Sequence, residues 1–311
     1  MPLVSIVIPV HNRDRLVERA VQSALNQTYQ DFEIVVVDDG STNGTPGVIA
    51  ALANEDRRIR CMRHDGKLGA QAARNTGIHA AHGKWIAFLD SDDEWLPEKL
   101  EKQVKALAEG NFDPWTVVHS NAIWLDTATG KQLPEEVPVV EGGDVYPLLL
   151  TKPGPLFPGM LVSRPALERI NYLDENVPSY QEWDTSIQLA KFCRFIYLRE
   201  PLFVYHLHAG ETISKNKKRG LLGYQYIIDK FEQEIKDVCG VAVWESHQMN
   251  QLIRCLNCRL WMESDRYYSM ISNRDLIFKI LQVCRALHLQ PKRLSALKKI
   301  FYPDKQRIPA R

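Results

Sequence analysis

Three short apolar runs, each broken off by a polar cluster, limit what this chain can fold into more than any other feature. They are LVSIVIPV (residues 3–10), FEIVVV (32–37) and KWIAFL (84–89). Runs that stay apolar without alternation are buried on both faces, as strands of a parallel sheet are. Helical segments separate them. Residues 13–27 place Leu16, Ala20, Val21, Ala24 and Leu25 near helical spacing. Residues 42–54 and the alanine-rich 70–81 are predicted helices, 59–63 a short strand, and Pro97 opens a helix to about 108. Strand and helix alternating at this interval imply right-handed crossovers and a doubly wound sheet. Ligands of such sheets bind outside the carboxyl ends of the strands. Residues 9–13, Asp38-Asp39 and the acidic cluster at 90–93 are therefore expected along one edge.

The later sequence is more mixed. Residues 117–125 predict a strand, 131–159 a loop with a short helix at 145–150, 182–192 a helix, and 195–198 and 202–207 short strands. Beyond 215 the strand signal stops, and helices are predicted at 219–238, 241–263, 273–287 and 291–301. This divides the chain into 1–214, with halves 1–110 and 111–214, and a helical region 215–311. Charge follows the same division. Residues 1–214 carry 20 Lys and Arg against 29 Asp and Glu, a balance of −9, and 215–311 carry 19 against 9, a balance of +10. An acidic front suits a metal or cationic ligand; a basic back suits phosphates or an anionic surface. Six scattered cysteines form no disulfide framework, and no apolar stretch reaches the roughly 18 residues of a membrane span. The opening MPLVSIVIPV has no basic region of the kind that starts a secretory signal. Cys255 and Cys258 form a lone CxxC, better read as core than as zinc ligands.

Asp90-Ser91-Asp92-Asp93 packs three carboxylates into four residues. They repel one another unless a cation offsets them, and hard oxygen ligands of this kind suit Mg2+ or Mn2+ together with a substrate phosphate. The competing reading is a solvated turn that caps the Pro97 helix. Asp38-Asp39-Gly40-Ser41 divides in the same way between capping and accepting hydrogen bonds from a ligand ring. There is no GxGxxG after the first strand and no GxxxxGK[ST], which disfavours dinucleotide dehydrogenases and P-loop ATPases. Trp85 and Trp183 read as core; Trp95, beside the acidic cluster, reads as core or as a sugar platform.

The segments VSIVIPVHNR, FEIVVVDDGSTNGT and GAQAARNTGIHAAHGKWIAFLDSDDEWLPEKL together resemble the N-terminal half of the family 2 glycosyltransferases, which have the GT-A fold. YQEWDTSIQLAKFCRFIYLREPLFVYHLHAGETIS resembles the acceptor-side motif of that family. The resemblance implies an α/β, Rossmann-like and mostly parallel sheet flanked by helices, followed by a helical C-terminal region. It implies an inverting transfer from a nucleoside-diphosphate sugar, a UDP-sugar in most members, aided by Mn2+ or Mg2+. Pro9, Asn12 and Asp39 match positions lining the nucleoside pocket, and Arg74 and Asp90 match donor-binding positions. Asp92 matches the direct metal ligand, His208 the histidine near diphosphate and metal, and Glu182 the catalytic base. Gln181 replaces an acid usual in the family, and Glu182 replaces the usual Asp, lengthening its reach by one methylene.

Residues 291–311 carry seven Lys or Arg against one acid, with Leu294, Leu297, Ile300 and Phe301 at helical spacing. This reads as a basic amphipathic helix on an anionic membrane, or as a docked terminal helix with a solvated face. By resemblance the acceptor is a glycan or a lipid-linked oligosaccharide of a bacterial surface polysaccharide. That places the chain in the cytoplasm, peripheral on the cytoplasmic face of the inner membrane. A nucleotide-sugar-binding partner without turnover is the alternative. A nucleotidyltransferase is disfavoured because PVHNR holds no glycine. Nucleic acid is not an expected partner, since no recognised module accompanies the basic tail.

Overall fold

The computed structural model describes residues 2–208, 216–272 and 276–290. The chain divides into two compact units, Met1–Glu211 and Thr212–Arg311.

The first unit is built on one sheet. Strands β1 (Val4–Val10), β2 (Phe32–Asp38), β3 (Ile59–Arg63) and β4 (Trp85–Phe88) run parallel in the order β3-β2-β1-β4. Helices α1 (Val17–Leu25), α2 (Thr45–Glu55) and α3 (Ala70–Ala80) alternate with them. β1 and β2 are buried along their whole length, as unbroken apolar runs require. The beginning of this unit matches the expected alternation to within a few residues at each end.

The sheet then becomes mixed. A two-residue strand, β5 (Glu94–Trp95), follows the acidic cluster, and α4 (Lys99–Glu109) follows that. β6 (Thr116–Asp126) forms a hairpin with β7 (Lys131–Leu133), inside a segment expected to be loop. After α5 (Tyr146–Thr151), β8 (Leu161–Ser163) inserts antiparallel between β4 and β6, and α6 (Arg164–Arg169) follows it. α7 (Gln181–Ala190) leads into β9 (Arg194–Leu207), which lies parallel to β6 and carries β5 antiparallel on its other side. The two short strands expected at 195–198 and 202–207 are thus one strand. Register shifts between Ser120 and Asn121 and between Asn121 and Ala122 absorb Arg199, Glu200 and Leu202 on either side of Pro201, which offers no N–H to the ladder.

Pro9 in a central strand is explained by the register. The Val7 carbonyl accepts from Leu89 N, so Val7 and, two residues on, Pro9 face β4. The β1–β4 pairing ends at Val7 and Phe88, so no ladder bond is asked of Pro9 on that side. α3 lies hard against β1 because Gly77 leaves room: a Cβ there would sit 2.4 Å from Val7 Cγ1.

The second unit is helical among its described residues. α8 (Lys217–Lys230) gives way to a short α9 (Glu232–Glu234) and a π-helical turn, Ile235–Cys239, rather than one helix over 219–238. The helix expected at 241–263 is two, α10 (Val241–Asn257) and α11 (Trp261–Met270), divided where Arg259 adopts φ 61°. α12 (Leu276–Ala286) completes a core of Leu221, Leu252, Leu256, Tyr267, Phe278 and Leu281. Cys255 belongs to this core, and Cys258 closes the end of α10 by donating its N–H to Arg254 O at 3.0 Å. The helix expected at 291–301 lies outside the described residues.

Candidate active site

From β1 the chain goes outward to β2 and β3 and then returns to the other side of β1 for β4. That reversal opens a crevice at the carboxyl ends of β1 and β4, the place where open α/β sheets take ligands.

One group of the expected site residues sits at the ends of β1 and β2. Asn12, exposed and at φ 52°, stitches the two loops together: its N–H donates to Ser41 Oγ at 2.8 Å, and its Oδ1 accepts from Thr42 N at 2.9 Å. Asp38 closes the β2 turn, accepting from Ser41 N at 3.0 Å, and pairs with Arg63 at 3.3 Å. It does not cap α2, whose cap position is Gly44. Asp39 is buried and holds the turn at 66–69. Its Oδ1 accepts from Leu68 N at 2.7 Å and from His64 Nδ1 at 2.9 Å, and its Oδ2 accepts from Gly69 N at 2.8 Å. Burial pushes this carboxyl up, but the His64 bond and the two amide bonds outweigh it and hold Asp39 below the usual carboxylate range. Gly40 is required beside it: at φ 66°, a Cβ would lie 2.5 Å from the Gly66 carbonyl carbon.

The other group sits at the end of β4 and the start of α7. Arg74 of α3 is buried, with its guanidinium facing Asp90 at 2.5 Å, Gln71 at 2.8 Å and Gln181 at 3.3 Å, and stacked 4.4 Å over Phe157. Asp92 is partly open to solvent. Its Oδ2 meets His208 Nε2 at 2.9 Å and Arg13 Nη2 at 3.6 Å, while Arg19 donates to its main-chain oxygen. Arg13 joins the two groups, since its own N–H donates to Thr45 Oγ1 at 2.9 Å at the start of α2.

Asp93 is a brace that the sequence did not single out. Its Oδ1 accepts from His206 N at 3.0 Å, tying the acidic cluster to β9 two residues before His208. Burial first, and then the charges of Asp90 and Asp92, push its carboxyl well above the usual range. The acids at 90–93 do not cap α4, whose cap residue is Glu98.

Glu182 stands half-buried in the first turn of α7. Burial raises its carboxyl above the ordinary glutamate range, and the Asp90 charge adds to this. Its own main-chain N–H and the Arg74 charge oppose it. Glu182 and the acidic cluster therefore answer to the same Arg74–Asp90 pair. Trp95 is core, with its Nε1 donating to Pro158 O at 2.9 Å and Lys99 Nζ 3.9 Å over its ring. Trp85 and Trp183 are buried as well.

Among the described residues no group of three or more His, Cys, Asp and Glu side chains is placed to hold a metal ion. What stands ready is the pair Asp92 and His208. A pair fits a cation that takes its remaining ligands from a diphosphate and water, as Mg2+ and Mn2+ do, better than an all-protein cage.

The sequence pattern described as Glycosyl transferase family 2 matches residues 5–136. A glycosyltransferase of Methanocaldococcus jannaschii is 30% identical over 250 residues, covering 78% of this chain and 84% of that one. The chain belongs to glycosyltransferase family 2. An Escherichia coli relative, UDP-Glc:alpha-D-GlcNAc-diphosphoundecaprenol beta-1,3-glucosyltransferase WfgD, is 36% identical over 125 residues, covering 39% of this chain and 49% of WfgD. This family 2 chain spans about half or less of the first curated relatives it matches. Staphylococcus aureus TarS, solved with UDP-GlcNAc, has a TM-score of 0.67 at 16% identity, covering 96% of this chain and 92% of the TarS chain. The fold is thus GT-A, with a mixed sheet where a mostly parallel one was expected.

Proposed function

We propose that the chain is an inverting, metal-dependent glycosyltransferase. It moves a hexosyl or N-acetylhexosaminyl group from a UDP-sugar to a hydroxyl of a glycan or lipid-linked acceptor in surface polysaccharide synthesis. One observation carries this reading: the single buried guanidinium of Arg74 spans Asp90, beside Asp92, and Gln181, beside Glu182. That bridge supports a reading in which a leaving-group side and an acceptor side share one crevice. WfgD, similar over 125 residues, is named for a UDP-glucose donor and a lipid-diphosphate acceptor and supports the donor and acceptor classes.

In this reading Pro9, Asn12 and Asp39 form the nucleoside end, with Asp39 fixing the wall of the pocket through the 66–69 turn. Asp92 and His208 would hold the divalent ion, Mn2+ or Mg2+. When bound, that ion acts as a Lewis acid on the diphosphate leaving group. Arg74 holds the Asp90 carboxylate aligned, in a place that needs no rearrangement as charge develops. Glu182 accepts the proton of the acceptor hydroxyl as that oxygen attacks the anomeric carbon. With one base and no nucleophile from the protein, the displacement is single and inverts the anomeric centre. The raised carboxyl of Glu182 makes it a stronger base than an ordinary glutamate.

A binding partner without turnover would need no carboxylate at 182; the half-buried acid beside Arg74 favours the enzyme. The test is UDP release from a panel of UDP-sugars, with Mn2+, Mg2+ or EDTA, for wild type and Glu182→Gln. Release that depends on both metal and Glu182 supports the reading; release from no sugar contradicts it. No described helix is long and apolar enough to cross a membrane. The basic residues of 291–311 support peripheral attachment to an anionic cytoplasmic surface.

A further inference from the structure

The strap between α6 and α7 is held by a contact that the proposed chemistry does not use. Asn75, next to Arg74 on α3, is buried and clasps both main-chain groups of Leu173. Its Oδ1 accepts from Leu173 N at 3.0 Å, and its Nδ2 donates to Leu173 O at 2.9 Å. Nδ2 also donates to Glu175 Oε1 at 2.8 Å. One turn further along the same helix, the ring of His79 meets Tyr172 edge-on at 4.1 Å.

The strap needs holding. It begins with Asn171 and Tyr172 at φ 58° and 65° and ends with Tyr180 at φ 60°, all in the left-handed region. Bulky residues stay there only when their surroundings over-determine the backbone. Directly after Tyr180, Gln181 is tied at both ends: Oε1 accepts from Arg74 and Nε2 donates to Val177 O at 3.2 Å. Glu182 follows. α3 thus grips the strap at 172, 173 and 175 and the first residue of α7 at 181, and α3 itself is seated on β1 through Gly77.

We propose that Asn75 is a positioning residue: by clasping Leu173 it sets where α7 begins, and so where Glu182 stands against the Arg74–Asp90 pair. This rests on the transferase reading above and extends it to a residue that touches no substrate. Only an amide serves, because one planar group must both donate and accept. Asp at 75 would accept from Leu173 N but could not donate to Leu173 O, and it would face Glu175 with a second negative charge.

The test uses the whole chain with Asn75→Ala, Asn75→Asp and, as the conservative change, Glu175→Gln, which keeps an acceptor for Nδ2. Three quantities are read: kcat for UDP release, the Kd of UDP, and amide hydrogen exchange. Both Asn75 variants are expected to lose about tenfold or more in kcat, the scale of a misplaced reacting group. Their UDP Kd stays within about twofold, since a base-side change removes an interaction of the transition state and not of nucleotide binding. Exchange quickens over 173–184 and not in β1 or β4, and Glu175→Gln behaves as wild type. Unchanged kcat, a parallel loss of UDP affinity, or unchanged exchange at 181–184 would overturn the proposal. If Asn75→Ala does not fold, Asn75→Asp, which keeps the acceptor for Leu173 N, decides by the same criteria. A wild type that turns over no sugar contradicts the transferase reading and ends the catalytic role of Asn75; the exchange result then decides the clasp alone.

Discussion

In the proposed reaction Glu182, as the base, bears the heaviest chemical demand. Replacing it with Gln keeps its shape and removes the base, so kcat is expected to fall by about 10²–10⁴-fold while UDP binding holds. Initial rates and UDP calorimetry check this. The pH profile adds a signed prediction. Glu182 works deprotonated, and burial lifts its carboxyl above the ordinary range. The acid limb of kcat/KM should therefore fall away at a higher pH than an unperturbed glutamate would give. Asp39 is displaced the other way, its folded state favouring the charged form. Its contribution to stability is present above the ordinary aspartate range and is lost as pH drops through its depressed folded value. Asp39→Asn turns an amide N–H2 toward the donors of Leu68, Gly69 or His64, at a cost of about 1–3 kcal/mol. A lowered Tm together with weaker UDP binding is the expected result; an unchanged Tm would contradict the clasp on the 66–69 turn. Asp39, Asp90 and Asp92 stood out as candidates because each lies just past a strand in an acidic cluster, whereas Glu182 and His208 became candidates only through the family resemblance. Asp93, Asn75 and the Gln181–Arg74 contact were not legible, since in each the groups that meet lie over 90 residues apart in the sequence.

At the scale of elements, α3 matters most. It presses on β1, holds Asp90 through Arg74 and holds the strap through Asn75. Gly77→Ala would place a methyl against Val7 and push the helix outward, costing about 1–3 kcal/mol as overpacking does. Because α3 carries the bracket, activity should fall with stability, which urea unfolding and rate measurement on the same sample will show. Stability lost without activity would contradict the role given to α3. The elements legible in advance were β1–β4, β6, α1–α5 and α7, each carried by an apolar run or by helical spacing. β5 and β8 have two and three residues, too few for any period to register, and their antiparallel pairing adds to the mixed character of a sheet expected to be mostly parallel. In the helical unit, left-handed Arg259 divided an expected single helix, and nothing in the local composition announced it.

At the scale of the molecule, the change from −9 to +10 in net charge falls at the position where the chain divides into two compact units. The strand signal ends near the same residue because the second unit has no sheet to join among its described residues. If its basic end meets an anionic surface, the full chain should float with phosphatidylglycerol vesicles and a chain lacking 291–311 should not, with the difference erased at high salt. Equal flotation of the two would remove the membrane attachment. The family and the donor-side edge were readable from the first hundred residues; the acceptor was not, since no motif marks the 126–160 loop or the helices. In the proposed reaction a metal-bearing acid and a base flank one nucleotide-sugar crevice. Crystals grown with UDP and Mn2+ test it most directly, through the anomalous signal of manganese. The account predicts a manganese peak at Asp92 and His208, in contact with the UDP phosphates, with Glu182 facing the open side of the same crevice. Manganese bound elsewhere, or UDP seated on a face that Glu182 does not reach, would contradict it.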